Sequence, residues 1–164
     1  MGLEWLKKTE GTTLRALEIS ADMVEMAEKN AIEYGLRSRV KYVEGDAQKM
    51  PFEDNTFDGV FPNGSLYEWS QPSRIFNEVY RCLKPGGKYL ISDMQRDMNP
   101  FVKWFLKLMT KPKEIRPGLV SSINASYTVQ EIQSILSETD LKSSKVKKTT
   151  MGFIITGEKS SKTS

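Results

Sequence analysis

Strand-like apolar runs alternate with helix-like patterns along most of this chain, and that alternation constrains the fold more than any other feature. Leu17-Glu18-Ile19 closes a strand expected over residues 12–19. Ser20 stands where a helix cap belongs, and Asp22 lies in the first turn, where a negative charge favours the helix dipole. Met23, Met26, Ala27 and Ala31 then recur at three-and-four spacing until Gly35 stops the helix. Residues 39–44 and 57–61 read as strands, and 72–83 as an amphipathic helix through Ile75, Phe76, Val79, Tyr80 and Leu83. Lys84-Pro85-Gly86-Gly87 ends that helix, since proline cannot continue it and glycine tolerates positive φ. Residues 88–93 form the next strand. Leu3, Trp5 and Leu6 mark the apolar side of a helix ending near Lys8, and residues 100–109 predict another helix. Residues 111–126 read as irregular. Thr128 with Glu131 forms a capping box ahead of a helix over 129–138, and strands near 142–147 and 151–156 follow. This order implies an α/β fold: a doubly wound, mostly parallel sheet with an antiparallel edge. We expect one domain over 1–158 and a polar tail over 159–164.

Composition narrows the function classes. The 164 residues are 38% hydrophobic, enough for a core. The net charge is only +3, and the lysines are scattered except between Lys142 and Lys148, a stretch expected to be a solvated strand edge, so no nucleic-acid partner is expected. One cysteine, Cys82, permits no intramolecular disulfide and suits a reducing cytoplasm. Its apolar helical neighbours predict a buried core residue rather than a nucleophile. With no histidine, a Ser-His or Cys-His couple is excluded and no metal site is expected. No signal peptide or membrane-length apolar run occurs, so no integral membrane contact is expected.

From Leu14 to Gly87 the residues resemble, in order and spacing, the class I S-adenosylmethionine (SAM) methyltransferases of the type 11 kind, the group that includes ubiquinone- and menaquinone-biosynthesis enzymes. The resemblance covers 14–93 well and 127–157 loosely, and it implies a Rossmann-like sheet. In that family an acidic residue ending the second strand accepts from the ribose hydroxyls. Glu18 occupies that place, and Ile19-Ser20-Ala21-Asp22-Met23 matches the turn into the following helix, putting Ile19 in the site and Met23 near the adenine. A carboxylate at a strand's carboxyl end does sit on the rim of the crevice where such sheets bind ligands. Gly45-Asp46-Ala47 matches the turn whose aspartate accepts from the adenine amine and whose neighbouring amide meets a ring nitrogen. Gly45 is expected to let the chain turn sharply there. Asn63 to Leu66 should line the methionine end of the cofactor. The 83–87 turn is a structural marker only.

One element of the family pattern is not in this sequence. No two of the 11 glycines are separated by a single residue, so no Gly-x-Gly loop exists to approach the methionine part of SAM. The strand that carries that loop is central in the family's sheet, between the strands represented here by residues 12–19 and 57–61. We therefore expect an N-terminally truncated fold lacking its first strand and glycine loop, with Met1-Gly2-Leu3-Glu4 fitting inside a longer helix. Unpaired strand edges are costly to leave open. Three responses are expected: the strand around Ala16 slides to pair with that around Val60, elements exchange with a second copy, or another polypeptide completes the sheet.

The resemblance places the acceptor pocket between Asp93 and Ser126. Phe101, Trp104, Phe105, Leu108 and Met109 share one helix there. We expect that helix to be buried against the sheet or its cap; the sharper reading is a lid over an apolar acceptor or a surface that touches lipid. Tyr67, Glu68 and Trp69 could face the acceptor. No catalytic base is identified, because alignment of acceptor and sulfonium methyl can suffice. The expected function is SAM-dependent methyl transfer to a small molecule, by descent and impaired as written. The alternatives are a non-catalytic partner or regulatory protein associating through open sheet edges, and an adenosine-binding module without methyl transfer.

Overall fold

A computed structural model describes residues 2–161; Met1, the first of the residues expected to fit inside a longer helix, and the last residues of the expected tail, 162–164, lie outside them. The chain divides into two compact units, one running to Pro51 and one beginning at Phe52.

The first unit contains α1 (Gly2–Lys7), β1 (Leu14–Glu18), α2 (Ala21–Glu33) and β2 (Val40–Glu44). The two strands pair in parallel and without a slip, from Leu14 against Val40 to Glu18 against Glu44. Leu6, Leu36 and Val40 are buried together, with Leu3, Leu14 and Tyr42 packed around them. The Arg39 guanidinium fastens the α1–β1 connection by donating to the carbonyls of Thr9 and Thr12. Ser20 caps α2 as expected, its Oγ accepting from the Met23 amide. Of the helix positions expected to be apolar, only Ala31 is buried; Met23 and Met26 are exposed, as is Trp5 on α1.

The second unit contains β3 (Phe57–Val60), α3 (Pro72–Cys82), β4 (Leu83–Met94), α4 (Pro100–Met109), α5 (Arg116–Ala125), α6 (Val129–Ser137), β5 (Lys145–Lys148) and β6 (Gly152–Glu158). Its four-stranded sheet has the order β3-β4-β6-β5. β3 runs parallel to β4, while β6 is antiparallel to both β4 and β5. The antiparallel edge is thus present, with β6 inserted beside β4 and the lysine-bearing β5 outermost. Ile75, Phe76 and Val79 of α3, Ile132 and Leu136 of α6, Ile91 of β4 and Phe153 and Ile155 of β6 supply the buried core. Cys82 is fully buried, and burial pushes its thiol up, which fits a core residue.

With the expected central strand not among the described residues, the strands form two hydrogen-bonded sets, β1-β2 in the first unit and β3-β4-β6-β5 in the second. β1 pairs with β2 alone, and among the described residues neither β1 nor β3 has a second strand partner. Three expectations need correction. The 111–126 stretch is largely helical, with a 3-10 turn at Lys113–Ile115 leading into α5. Pro117 sits in the first turn of α5, where proline is well tolerated. β5 begins at Lys145 rather than near Lys142, because turns closed by Lys142 N to Thr139 O and Ser144 N to Leu141 O occupy the preceding residues. The Lys84-Pro85-Gly86-Gly87 segment does not separate helix from strand. Leu83 is already extended and pairs with Phe57, and the segment accommodates a register shift before Lys88 meets Gly59. Gly86 holds φ +77, and its amide donates to the Lys159 carbonyl, so the ladder continues one residue past Glu158. The Lys159 ammonium donates to Asn55 Oδ1 and the Tyr80 carbonyl, fastening this end of the chain to α3.

Two substitutions test this account. A Cβ on Gly87 would lie 2.8 Å from the Lys84 carbonyl oxygen and 3.1 Å from that of Phe57, both backbone atoms, so Gly87→Ala should cost about 1–3 kcal/mol in urea unfolding. Thr128 Oγ1 accepts from the Glu131 amide while the Glu131 carboxylate accepts from the Thr128 amide, so Thr128→Ala should cost about 1 kcal/mol and Thr128→Ser much less.

Candidate functional site

Both carboxylates proposed for adenosine lie in the first unit, Glu18 at the paired end of β1 and Asp46 two residues past the paired end of β2. The pairing stops at Glu18 and Glu44, and the Gly45 amide donates to the Glu18 carbonyl, carrying the chain off β2 beside the end of β1. The Glu18 side chain folds onto its own turn: Oε1 accepts from the amides of Ile19 at 2.9 Å and Ser20 at 3.3 Å. That fixes the carboxylate's direction. Among the described residues Oε2 has no donor, so it is open to ribose hydroxyls. Ile19 is 71% exposed, and Met23 is half exposed one helical turn later, so this rim carries uncovered apolar surface next to a carboxylate.

Asp46 caps the short 3-10 turn Ala47–Lys49, with Oδ1 accepting from the Gln48 amide at 2.8 Å. Oδ2 has only a long contact, 3.4 Å, from Gln48 Nε2. The Ala47 amide has no acceptor among the described residues. An exposed acceptor and an adjacent open donor are what the edge of adenine would require: its amine donates and a ring nitrogen accepts. Gly45 serves this turn differently from expectation. It is not in the positive-φ region; a Cβ there would stand 3.1 Å from Leu17 Cδ1 and 3.2 Å from the Pro51 ring, so close packing is what calls for glycine.

A separate cleft of ≈ 520 Å³ in this unit is lined by Leu14, Ala16, Tyr34 and Tyr42 among others, and includes none of the proposed residues. It follows the α1 side of the strands rather than their carboxyl ends.

Asn63 belongs to the second unit, beyond the end of β3. Its Oδ1 accepts from Ser92 Oγ at 2.5 Å, and its backbone forms a parallel bridge to Ser92. The structure brings Glu18, Ile19, Met23, Asp46 and Ala47 onto one unit and Asn63 onto the other. Of the residues thought able to face an acceptor, Trp69 packs edge-on against the buried Phe76, with ring centroids 5.6 Å apart, and so serves the core.

The sequence reading missed Asp93. It ends the buried row Gly87, Tyr89, Ile91, Asp93 of β4, where an every-second-residue pattern would have signalled a buried carboxylate. Oδ2 accepts from the Leu66 amide and Oδ1 from the Met94 amide, each at 2.7 Å. The loop after β3 is thereby held on the end of β4. Burial is the largest influence on this carboxyl and pushes its pKa up; the amides of Met94, Leu66 and Tyr67 oppose the shift. An acid with a raised folded pKa keeps its proton in the folded state after the unfolded chain has lost it. Its contribution is therefore fully present below the ordinary aspartate range, about 4, and declines as pH rises through the folded value. The difference in urea stability between wild type and Asp93→Asn should change with pH across that window and be flat above it.

The profile of the family described as "Methyltransferase domain" matches residues 1–91. The sterol 4-C-methyltransferase strm-1 of Caenorhabditis elegans is 36% identical over 84 residues, covering 51% of this chain and 25% of that protein. The ubiquinone/menaquinone biosynthesis C-methyltransferase of Brucella canis is 27% identical over 129 residues, covering 76% of this chain and 47% of that protein. The chain thus spans less than half the length of either relative. The crystal structure of a SAM-dependent methyltransferase from Aquifex aeolicus superposes with a TM-score of 0.70 at 21% identity, over 96% of this chain and 75% of that one, a likeness of fold. The α/β architecture is accordingly Rossmann-like, and with a profile that spans more than half of its residues this chain belongs to the methyltransferase domain family of the type 11 kind.

Proposed function

We propose that the protein takes part in SAM-dependent methyl transfer to a small-molecule acceptor, with the adenosine half of the cofactor held by the first unit. Glu18 Oε2 would accept from the ribose hydroxyls, Asp46 Oδ2 from the adenine amine, and the Ala47 amide would donate to a ring nitrogen. Ile19 and Met23 would supply apolar surface beside the base. The observation that carries this reading is the pair of carboxylates at and just past the in-register ends of β1 and β2, each directed by its own turn, Glu18 with one oxygen without a donor among the described residues and Asp46 with one that has only the long Gln48 contact. Family membership and the methyltransferase activities named for the relatives support it. The cofactor supplies an electrophilic methyl on a sulfonium; this chain's share is to bind and orient the adenosyl group. A reducing cytoplasm suits the single buried cysteine, and among the described residues no helix is long and apolar enough to cross a membrane.

A second reading is a non-catalytic methyltransferase-like partner that associates through its strand edges. It draws on one specific observation: among the described residues β1 and β3 each pair on one side only.

Titration calorimetry with SAM, S-adenosylhomocysteine and adenosine separates the two. The first reading expects saturable binding of SAM and weakening by Glu18→Ala. A hydrogen bond to a charged group contributes roughly 1.5–3 kcal/mol, so the loss should be tenfold or more. An unchanged affinity in Glu18→Ala would show the site to be misplaced. No binding by any of the three ligands, together with a self-associated species in light scattering, would favour the second reading.

A further inference from the structure

α4 was expected to be buried, and it is not: none of its residues is buried. Phe101, Trp104, Phe105, Leu108 and Met109 are exposed, the first by 69% and the last by 60%. Their spacing of i, i+3, i+4, i+7 and i+8 places all five on one face of the helix. Phe101 and Trp104 stack at a tilt, with ring centroids 5.7 Å apart, so two aromatic rings present one continuous apolar surface. The opposite side is tied to the rest of the unit. Val102 and Leu106 are half-buried, Lys103 Nζ donates to Asn124 Oδ1 of α5 at 2.6 Å, and the Arg116 guanidinium donates to the carbonyls of Leu108 and Thr110.

The charge in the stretch that carries this face is mostly positive. Between residues 99 and 126 there are five cations, Lys103, Lys107, Lys111, Lys113 and Arg116, against a single acid, Glu114. Three of the cations, Lys107, Lys113 and Arg116, line a shallow cleft of ≈ 690 Å³ beside α4, whose lining contains no acidic residue. A second copy docking by this same face would bring like charges together. An aqueous protein partner would need a complementary acidic surface wrapped round an apolar centre. An anionic bilayer meets both requirements at once: aromatic side chains are favoured at the membrane–water boundary, and cations beside a short amphipathic helix are drawn to negative headgroups.

We propose that the exposed face of α4 and the cationic cleft beside it form a docking surface for a bilayer carrying anionic phospholipid. α4 lies in the plane of the headgroups, with Phe101, Trp104, Phe105 and Leu108 at the acyl boundary and Lys107, Lys113 and Arg116 at headgroup phosphates. The surface is peripheral and distinct from the adenosine site of the first unit.

Co-sedimentation of the full chain with phosphatidylcholine vesicles, with and without phosphatidylglycerol, tests the proposal. Binding should require phosphatidylglycerol and be lost on raising salt from about 0.1 M to about 1 M, where the screening length falls roughly threefold. Each cation near such a surface contributes a factor of about five, so Lys107→Glu with Lys113→Glu should weaken binding by about 25-fold or more. Phe101→Ser with Trp104→Ser, at exposed positions, should weaken it at least as much while leaving the melting transition in place. In the wild type, brominated phosphatidylcholine mixed with phosphatidylglycerol should quench tryptophan emission, and Trp104→Phe should remove that quenching, a reading that does not rely on a charge-altered variant folding. Equal binding to neutral and anionic vesicles, or undiminished binding in both double variants, overturns the proposal. So does a self-associated species in light scattering that the Phe101→Ser, Trp104→Ser variant abolishes, since the face would then belong to a second copy.

Discussion

Everything attributed to the first unit depends on the parallel pairing of β1 with β2. Because the register runs unbroken to Glu18 opposite Glu44, the two strands finish at one level, and the chain leaves both on the same rim. The side-chain period of a strand is two, so a slip of one residue would turn Glu18 to the other face and separate it from the Asp46 turn. The strands are short, and two of them alone make little sheet. Their register is held by the buried Leu6, Leu36 and Val40 beneath them and by Arg39 gripping the Thr9 and Thr12 carbonyls. A packing cluster on the strands thus governs where the Glu18 and Asp46 carboxylates stand.

Much of this was legible in the sequence because local chemistry declares it. The Ser20 cap, the Thr128–Glu131 box and the 100–109 helix all appear where short-range signals put them. So does the buried Cys82, whose neighbours in the helix are apolar. The positions of Glu18 at a strand end and of Asp46 at a turn were readable because strand ends followed by turn residues are local patterns too. What escaped is what depends on distant partners. The 111–126 stretch read as irregular, but a 3-10 turn leads it into a helix whose first turn accepts Pro117. The 83–87 segment looked like a stop until pairing with Phe57 drew Leu83 into the sheet. Nor does any one-dimensional pattern say that β1 and β3 belong to different sheets, since strand adjacency is decided across the fold.

The apolar face of α4 shows the limit of periodicity in another way. A stripe at helical spacing says that one side of a helix avoids water, and a core is the usual means of doing so. It does not say which surroundings provide the shelter. Here the half-buried Val102 and Leu106 face the protein, and the larger aromatic side faces outward among cations. Composition within a few residues of the stripe, rather than the stripe itself, carries that information.

Asp93 grips the loop after β3 by main-chain amides alone, at Leu66 and at the β4 end itself. A tether of that kind is indifferent to which side chains the loop displays. Residues at 67 and 68 could therefore be exchanged over evolutionary time, reshaping whatever the loop touches, while its path through space stayed the same. The carboxylate separates the loop's position from the chemistry of the side chains it displays.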